Sequence, residues 1–132
     1  MQRRALDTSV LIRHWRNCRA KARGPLTITA VQTWARTLIR LYESDAIVTP
    51  VYIEMIAGVT NRQELRLTLA FLEEFRCIDA RRIPQQDWDQ TIRLAQRIPR
   101  TSSPRQLGDC LIHAICKRLR YQVATFDTRF AR

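Results

Sequence analysis

The sequence predicts an α/β domain: strands alternate with helices along a chain whose 132 residues suit one domain and leave little room for a second.

 

Three observations carry the prediction. Short apolar runs of strand length alternate with longer segments of helical periodicity. Capping and turn residues fall at most of the junctions. Alternation of this kind within 132 residues favours a small parallel sheet whose strands are joined by covering helices.

The elements follow in order. Arg4-Ala5-Leu6 is a short strand that ends at Asp7-Thr8-Ser9, a strand-to-helix junction. Val10-Leu11-Ile12 begins a helix whose other positions are mostly basic, broken at Gly24-Pro25. A second helix runs from about Ala30 to Tyr42, with Val31, Trp34, Leu38 and Leu41 at helical spacing. Ala46-Ile47-Val48 has strand length, and Thr49-Pro50 reads as N-cap and first helical position of a helix that stops near Gly58. Asn61-Arg62-Gln63-Glu64 resembles a capping box and opens a helix to about Phe75. Arg76 to Asp79 reads as a strand. Pro84 starts a helix that Pro99 ends, and Ser103-Pro104-Arg105-Gln106 caps a helix from Arg105 to about Arg120. Tyr121 to Thr125 is the last strand. No repeat or long linker divides the chain, so residues 1–132 are read as one domain.

Composition narrows the function. Apolar residues make up 45% of the chain, enough for a core, and three glycines exclude collagen-like or glycine-rich chains. The formal charge is +11, from 23 basic and 12 acidic residues, and only Lys21 and Lys117 are lysines. Such a charge points to a polyanionic partner, and planar guanidinium groups suit bidentate phosphate contacts. A GC-rich genome would also favour arginine over lysine, without explaining the sign of the charge. No run of about 18 apolar residues suggests a membrane helix. The N-terminus lacks the uninterrupted apolar region of a signal peptide. Cys18, Cys77, Cys110 and Cys116 form no Cys-x-x-Cys, so free thiols in a reducing cytoplasm are expected.

In a chain short of acids, their positions matter. Ligands of parallel α/β sheets bind at the carboxyl ends of the strands. Asp7 follows the first strand, Asp127 follows the last, and Glu54 lies early in the helix after the second. Asp109 sits early in the helix before the last strand. Asp7, Glu54 and Asp109 have apolar flanks, where a bare charge is costly. A divalent cation relieves the mutual repulsion of such carboxylates, and Mg²⁺ or Mn²⁺ prefers oxygen ligands. Each acid also has a structural reading. Asp7 could cap its helix, Glu54 could pair with Arg62, Asp109 could answer a helix dipole, and Asp127 could be a turn residue.

Four segments in order resemble the PIN-domain family, and within it the VapC-type toxins of bacterial toxin–antitoxin pairs. They are Leu6-Asp7-Thr8-Ser9-Val10-Leu11-Ile12, Thr49 to Gly58 around Glu54, Leu107 to Ala114 around Asp109, and Val123 to Phe130 around Asp127. The resemblance implies a PIN-like α/β/α sandwich. The chain ends at Arg132, where many relatives continue into a fifth strand, so that edge of the sheet is expected to be missing. The basic stretch from Arg13 to Thr29 also departs from the family pattern.

The resemblance further implies a Mg²⁺- or Mn²⁺-dependent endoribonuclease. Asp7, Glu54 and Asp109 would hold metal, with Asp127 as a second-metal or water-mediated ligand. Thr8, Ser9 and Thr125 would orient the carboxylates. Arg13, Arg16, Arg19, Arg23, Arg100 and Arg105 would hold flanking phosphates, although for any single one of them a solvated face is the readier reading. Trp15 and Trp34 could stack on bases or fill the core. Neither His14 nor His113 is needed; His113, one turn after Asp109, could lie near the site but reads as a surface or half-buried structural residue. The implied partners are an RNA substrate, a VapB-type antitoxin and a second copy of the chain, with no membrane. A competing reading is a non-catalytic basic module that binds nucleic acid or an acidic protein.

Overall fold

The computed structural model describes residues 3–97 and 104–126. Four strands, β1 (Arg4–Leu6), β2 (Ala46–Ile47), β3 (Arg76–Cys77) and β4 (Gln122–Ala124), form a sheet in the order β3-β2-β1-β4. Every neighbouring pair is parallel, with Ala5 opposite both Ala46 and Val123 and Ile47 opposite Cys77. Among the described residues six helices accompany it: α1 (Thr8–Lys21), α2 (Ile28–Tyr42), α3 (Thr49–Ala57), α4 (Arg62–Leu72), α5 (Gln85–Ala95) and α6 (Leu107–Arg118). The fold is the α/β arrangement expected, a parallel sheet within helical layers.

Strand order sets the position of the site. From β1 the chain moves outward to β2 and then β3, and β4 returns to the other side of β1. The direction of travel therefore reverses between β1 and β4. A crevice opens at such a reversal beyond the strands' carboxyl ends.

The two central strands carry the buried part of the sheet, whereas β3 and β4 at its edges are partly exposed. Ala5, Leu6, Ala46 and Ile47 are all buried, as are Val10 and Leu11 of α1, Val31 and Leu38 of α2, and Ile112 and Ile115 of α6. Trp15 packs edge-on against Trp34 at 5.3 Å and against Phe71 at 5.2 Å, tying α1 to α2 and α4. Such pairs contribute about 0.5–1.5 kcal/mol beyond the area they bury. The base-stacking reading of Trp15 is thereby corrected: its ring lies in the core and is 8% exposed.

Several boundaries differ from expectation, each for a local reason. Helix α2 starts at Ile28, because the Thr27 hydroxyl oxygen accepts from the Ala30 N–H at 3.1 Å. Asn61 caps α4 as expected, accepting from the Glu64 N–H at 2.8 Å, but that helix ends at Leu72. Thr49 is the first residue of α3 and not its cap. The cap comes from outside: the buried Asp79 carboxylate accepts from the Thr49 N–H at 3.0 Å and from its hydroxyl at 2.9 Å. Asp79 therefore belongs to a turn after β3, with Ala80 and Arg81 in the left-handed region. Helix α5 ends at Ala95; the expected end at Pro99 and the Ser103 cap lie outside the described residues. Helix α6 starts at Leu107, since Gln106 is extended, and this places Asp109 in its first turn.

Helices α5 and α6 are joined by a buried ion pair. Arg118 Nε donates to Asp87 Oδ1 at 2.8 Å, and Asp87 is 1% exposed. All four cysteines carry free thiols. No described helix is long and apolar enough to cross a membrane. The expectation of a missing last edge strand concerns residues after 126, outside the described ones.

Candidate active site

Asp7 occupies the N-cap position of α1, with extended backbone at φ −78° and ψ 161°. Its side chain makes no cap hydrogen bond. Instead, Oδ2 accepts from the Ser9 hydroxyl at 3.0 Å and from the Thr125 hydroxyl at 2.5 Å. The two hydroxyls also meet each other at 3.2 Å, and the Phe126 N–H donates to Ser9 Oγ at 3.0 Å. The Asp7 N–H donates to the Ala124 carbonyl at 2.9 Å, which continues the β1–β4 ladder by one rung. The sheet thus delivers Asp7 and Thr125 side by side at the reversal point. Asp7 is 4% exposed, so this carboxylate is held by hydroxyls where water has little access.

Glu54 projects from the second turn of α3 and is exposed. The Thr8 hydroxyl donates to its Oε1 at 2.6 Å. Among the described residues it makes no ion pair, so the alternative pairing with Arg62 is not formed. Its carboxylate lies against Gly108, the second residue of α6. A Cβ at Gly108 would come within 2.8 Å of Glu54 Oε2. Glycine is thus the residue that lets the acid of α3 approach the first turn of α6. That turn carries Asp109, which is half-buried.

The first turn of α1 therefore serves two acids. Thr8 holds Glu54, while Ser9 and Thr125, the residue after β4, hold Asp7. Glu54 in turn touches the helix of Asp109. Among the described residues no three His, Cys, Asp or Glu side chains gather closely enough to form a metal-holding group. Asp127, the fourth predicted acid, and Arg100 lie outside the described residues.

The remaining predicted residues fall in different places. The Arg13 guanidinium lies over the Phe126 ring at 4.5 Å. Arg16 lines a pocket of about 180 Å³ together with Glu54, Trp15 and Glu64. Arg19 lines an adjoining pocket of about 250 Å³ that shares Trp15 and Glu64. Arg105 donates to the Arg97 carbonyl at 2.6 Å, beside the end of α5. Arg23 is exposed. His14 is structural, with Nε2 2.7 Å from the Trp34 carbonyl oxygen.

Two contributors escaped the sequence reading. Asp79 follows β3 much as Asp7 follows β1, yet it caps α3. The signal shared by both, an acid just past an apolar strand, does not separate a ligand-facing acid from a cap. Gly108 carried a usable signal: a glycine in the first turn of a helix, beside an acid, marks a close approach.

Fold and edge define a class, that of parallel α/β domains with hydroxyl-steered carboxylates at the strand reversal. The PIN domain model matches residues 4–132, and the chain belongs to the PIN domain family. PIN domains are in general metal-dependent nucleases. No curated protein matches the chain.

The residues suit the divalent ion that the family implies. The donors are carboxylate oxygens, the ligands that Mg²⁺ and Mn²⁺ prefer. The glycine at 108 leaves the space that the Glu54 carboxylate occupies beside α6. Mg²⁺ commonly takes one or two protein carboxylates and keeps several waters, so a crowded cage of protein ligands is not required.

Proposed function

We propose that this chain is a metal-dependent endoribonuclease toxin of the VapC type, which hydrolyses RNA phosphodiester bonds and is neutralised by a cognate VapB-type antitoxin. The observation that carries the reading is the Asp7 carboxylate. It stands in a cap position, yet it is turned away from the helix and held by Ser9 and Thr125. A purely structural acid at that position would bond the free N–H groups of α1.

In this reading Asp7, Glu54 and Asp109 hold Mg²⁺ or Mn²⁺, and Asp127 serves a second metal or a bridging water. The bound ion would polarise the phosphate and lower the pKa of a water. The chain's own residues prepare that chemistry. Ser9 and Thr125 fix the orientation of Asp7, and Thr8 fixes that of Glu54. Arg16, which lines a pocket together with Glu54, would hold a flanking phosphate, and Arg13, Arg19, Arg100 and Arg105 would hold others.

The test is cleavage of structured RNA by the purified protein. Mg²⁺ or Mn²⁺ should support it and EDTA should stop it; cleavage unaffected by EDTA contradicts the proposal. The toxin role is tested separately. Expression alone should arrest growth in the cytoplasm, and co-expression of the neighbouring small reading frame should relieve it. Arrest that persists with Asp7→Ala contradicts a nuclease cause. The proposal takes residues 1–132 as one domain acting as a homodimer, which sedimentation would check.

A further inference from the structure

A larger cleft lies at the other end of the sheet. The amino ends of the four strands border it, whereas Asp7 stands at a carboxyl end. It measures about 680 Å³. Sites for small ligands commonly span about 300–1,000 Å³. None of the residues that line it belongs to the candidate active site.

Its lining combines arginines with phenol rings. Arg3 lies over the Tyr121 ring at 4.5 Å, and Arg4 lies over the Tyr42 ring at 5.5 Å. Arg76 enters from β3, at the opposite edge of the sheet from Tyr121, and the Tyr121 phenol raises the pKa of its guanidinium. Arg76 and Tyr121 thus line one cleft although they belong to opposite edges of the sheet.

Part of this arrangement is structural. Arg4 donates to the Tyr42 carbonyl at 2.7 Å and Arg3 to the Leu119 carbonyl at 3.2 Å, each at the C-terminal end of a helix. Each contact uses one of five guanidinium donors. Arg76 has no such role. Its carboxylate neighbour, Asp45, is 3.5 Å away, and its side chain is 60% exposed, a pairing of little energetic weight.

The combination matches one ligand chemistry. Guanidinium forks fit phosphate oxygens in a bidentate manner. A guanidinium layered on a tyrosine presents a second flat face, on which a nucleobase stacks. Asp45 adds an acceptor suited to the exocyclic amine of a base, which a bare phosphate does not need.

We propose that this cleft binds a nucleotide unit, its phosphate held by Arg76 and Arg3 and its base stacked on an arginine–tyrosine layer. A free mononucleotide and a nucleotide within an RNA strand share this chemistry. The site does not depend on the nuclease reading, because it shares no residue with the acids.

The experiment titrates AMP by calorimetry and fluorescein-labelled oligoadenylate by anisotropy, both in EDTA. Wild-type protein is compared with the double variant Arg3→Ala/Arg76→Ala and with Arg62→Ala, an exposed arginine outside both sites. Arg3 and Arg76 are exposed, and circular dichroism confirms that the variants are folded. Binding should weaken roughly tenfold or more in the double variant and stay unchanged in Arg62→Ala. AMP binding with this pattern assigns a free nucleotide, and oligoadenylate binding with it but without AMP assigns a strand segment. Three results overturn the proposal: neither probe binds, the double variant binds as tightly as wild type, or inorganic phosphate competes as well as AMP.

Discussion

The single residue on which most depends is Asp7. Its position alone suggested either a cap or a ligand, and sequence patterning cannot separate them because both uses need an acid just before a helix. The hydroxyls separate them. Thr125 stands 118 residues away in sequence, and only the parallel pairing of β1 with β4 brings it to Asp7. Removing both hydroxyls in Ser9→Ala/Thr125→Val should lower metal-dependent cleavage about 10–100-fold while leaving the carboxylate in place. Kinetics at varied metal concentration would measure the loss, and unchanged activity would show that the hydroxyls do not matter. Cys116 illustrates a different residue-scale effect. Burial, with smaller contributions from the charges of Asp7 and Asp79, pushes its thiol from 9.0 up to about 12. The unfolded chain then loses this proton before the folded chain does. Stability should fall as pH rises from about 9 towards 12, and denaturant titrations across that window should show it less in Cys116→Ala.

At the scale of elements, α6 links the site to the rest of the fold. Its first turn carries Asp109 and receives Glu54 over Gly108, and its last turn carries Arg118, paired with buried Asp87 of α5. Gly108→Ala should gain roughly 0.5–1 kcal/mol of helix stability, because the clashing atom is the end of a flexible, exposed side chain. The same change displaces Glu54, so cleavage should fall as the melting temperature rises. A fall in both would point to a backbone shift instead. Arg118→Met leaves Asp87 charged and buried without its partner, and it should cost about 3 kcal/mol by denaturant titration. A loss below about 1 kcal/mol would mean that the pair is weak. Element types were legible because apolar periodicity differs between strand and helix. Several boundaries were not, because their caps are distant. Thr49 was expected to cap α3 from within, whereas Asp79 does so from 30 residues further along the chain. Likewise, Trp15 lies on a strongly basic helix, and only the packing of Trp34 and Phe71 shows that it faces the core.

For the molecule as a whole, the charge of +11 conceals a division between the ends of the sheet. Asp7 and Glu54, each held by a hydroxyl of α1, stand at the carboxyl end, and arginines with tyrosines line the cleft at the amino end. The order of the four motifs along the sequence was enough to indicate the fold, because the order of strands in a parallel sheet fixes which ends meet. The distances within the site were not legible, since they depend on the glycine at 108 and on hydroxyls from the first turn of α1 and from the residue after β4. RNA binding should weaken steeply with salt, the logarithm of the affinity falling by roughly 0.7 for each phosphate contacted per tenfold rise in salt. An affinity independent of salt would exclude the basic surface as the RNA contact. The most direct test of the account compares wild type with Asp7→Asn for cleavage of the same RNA in Mg²⁺ or Mn²⁺, after thermal melts show that both are folded. The account predicts a loss of roughly a hundredfold or more in Asp7→Asn; cleavage at the wild-type rate would contradict it.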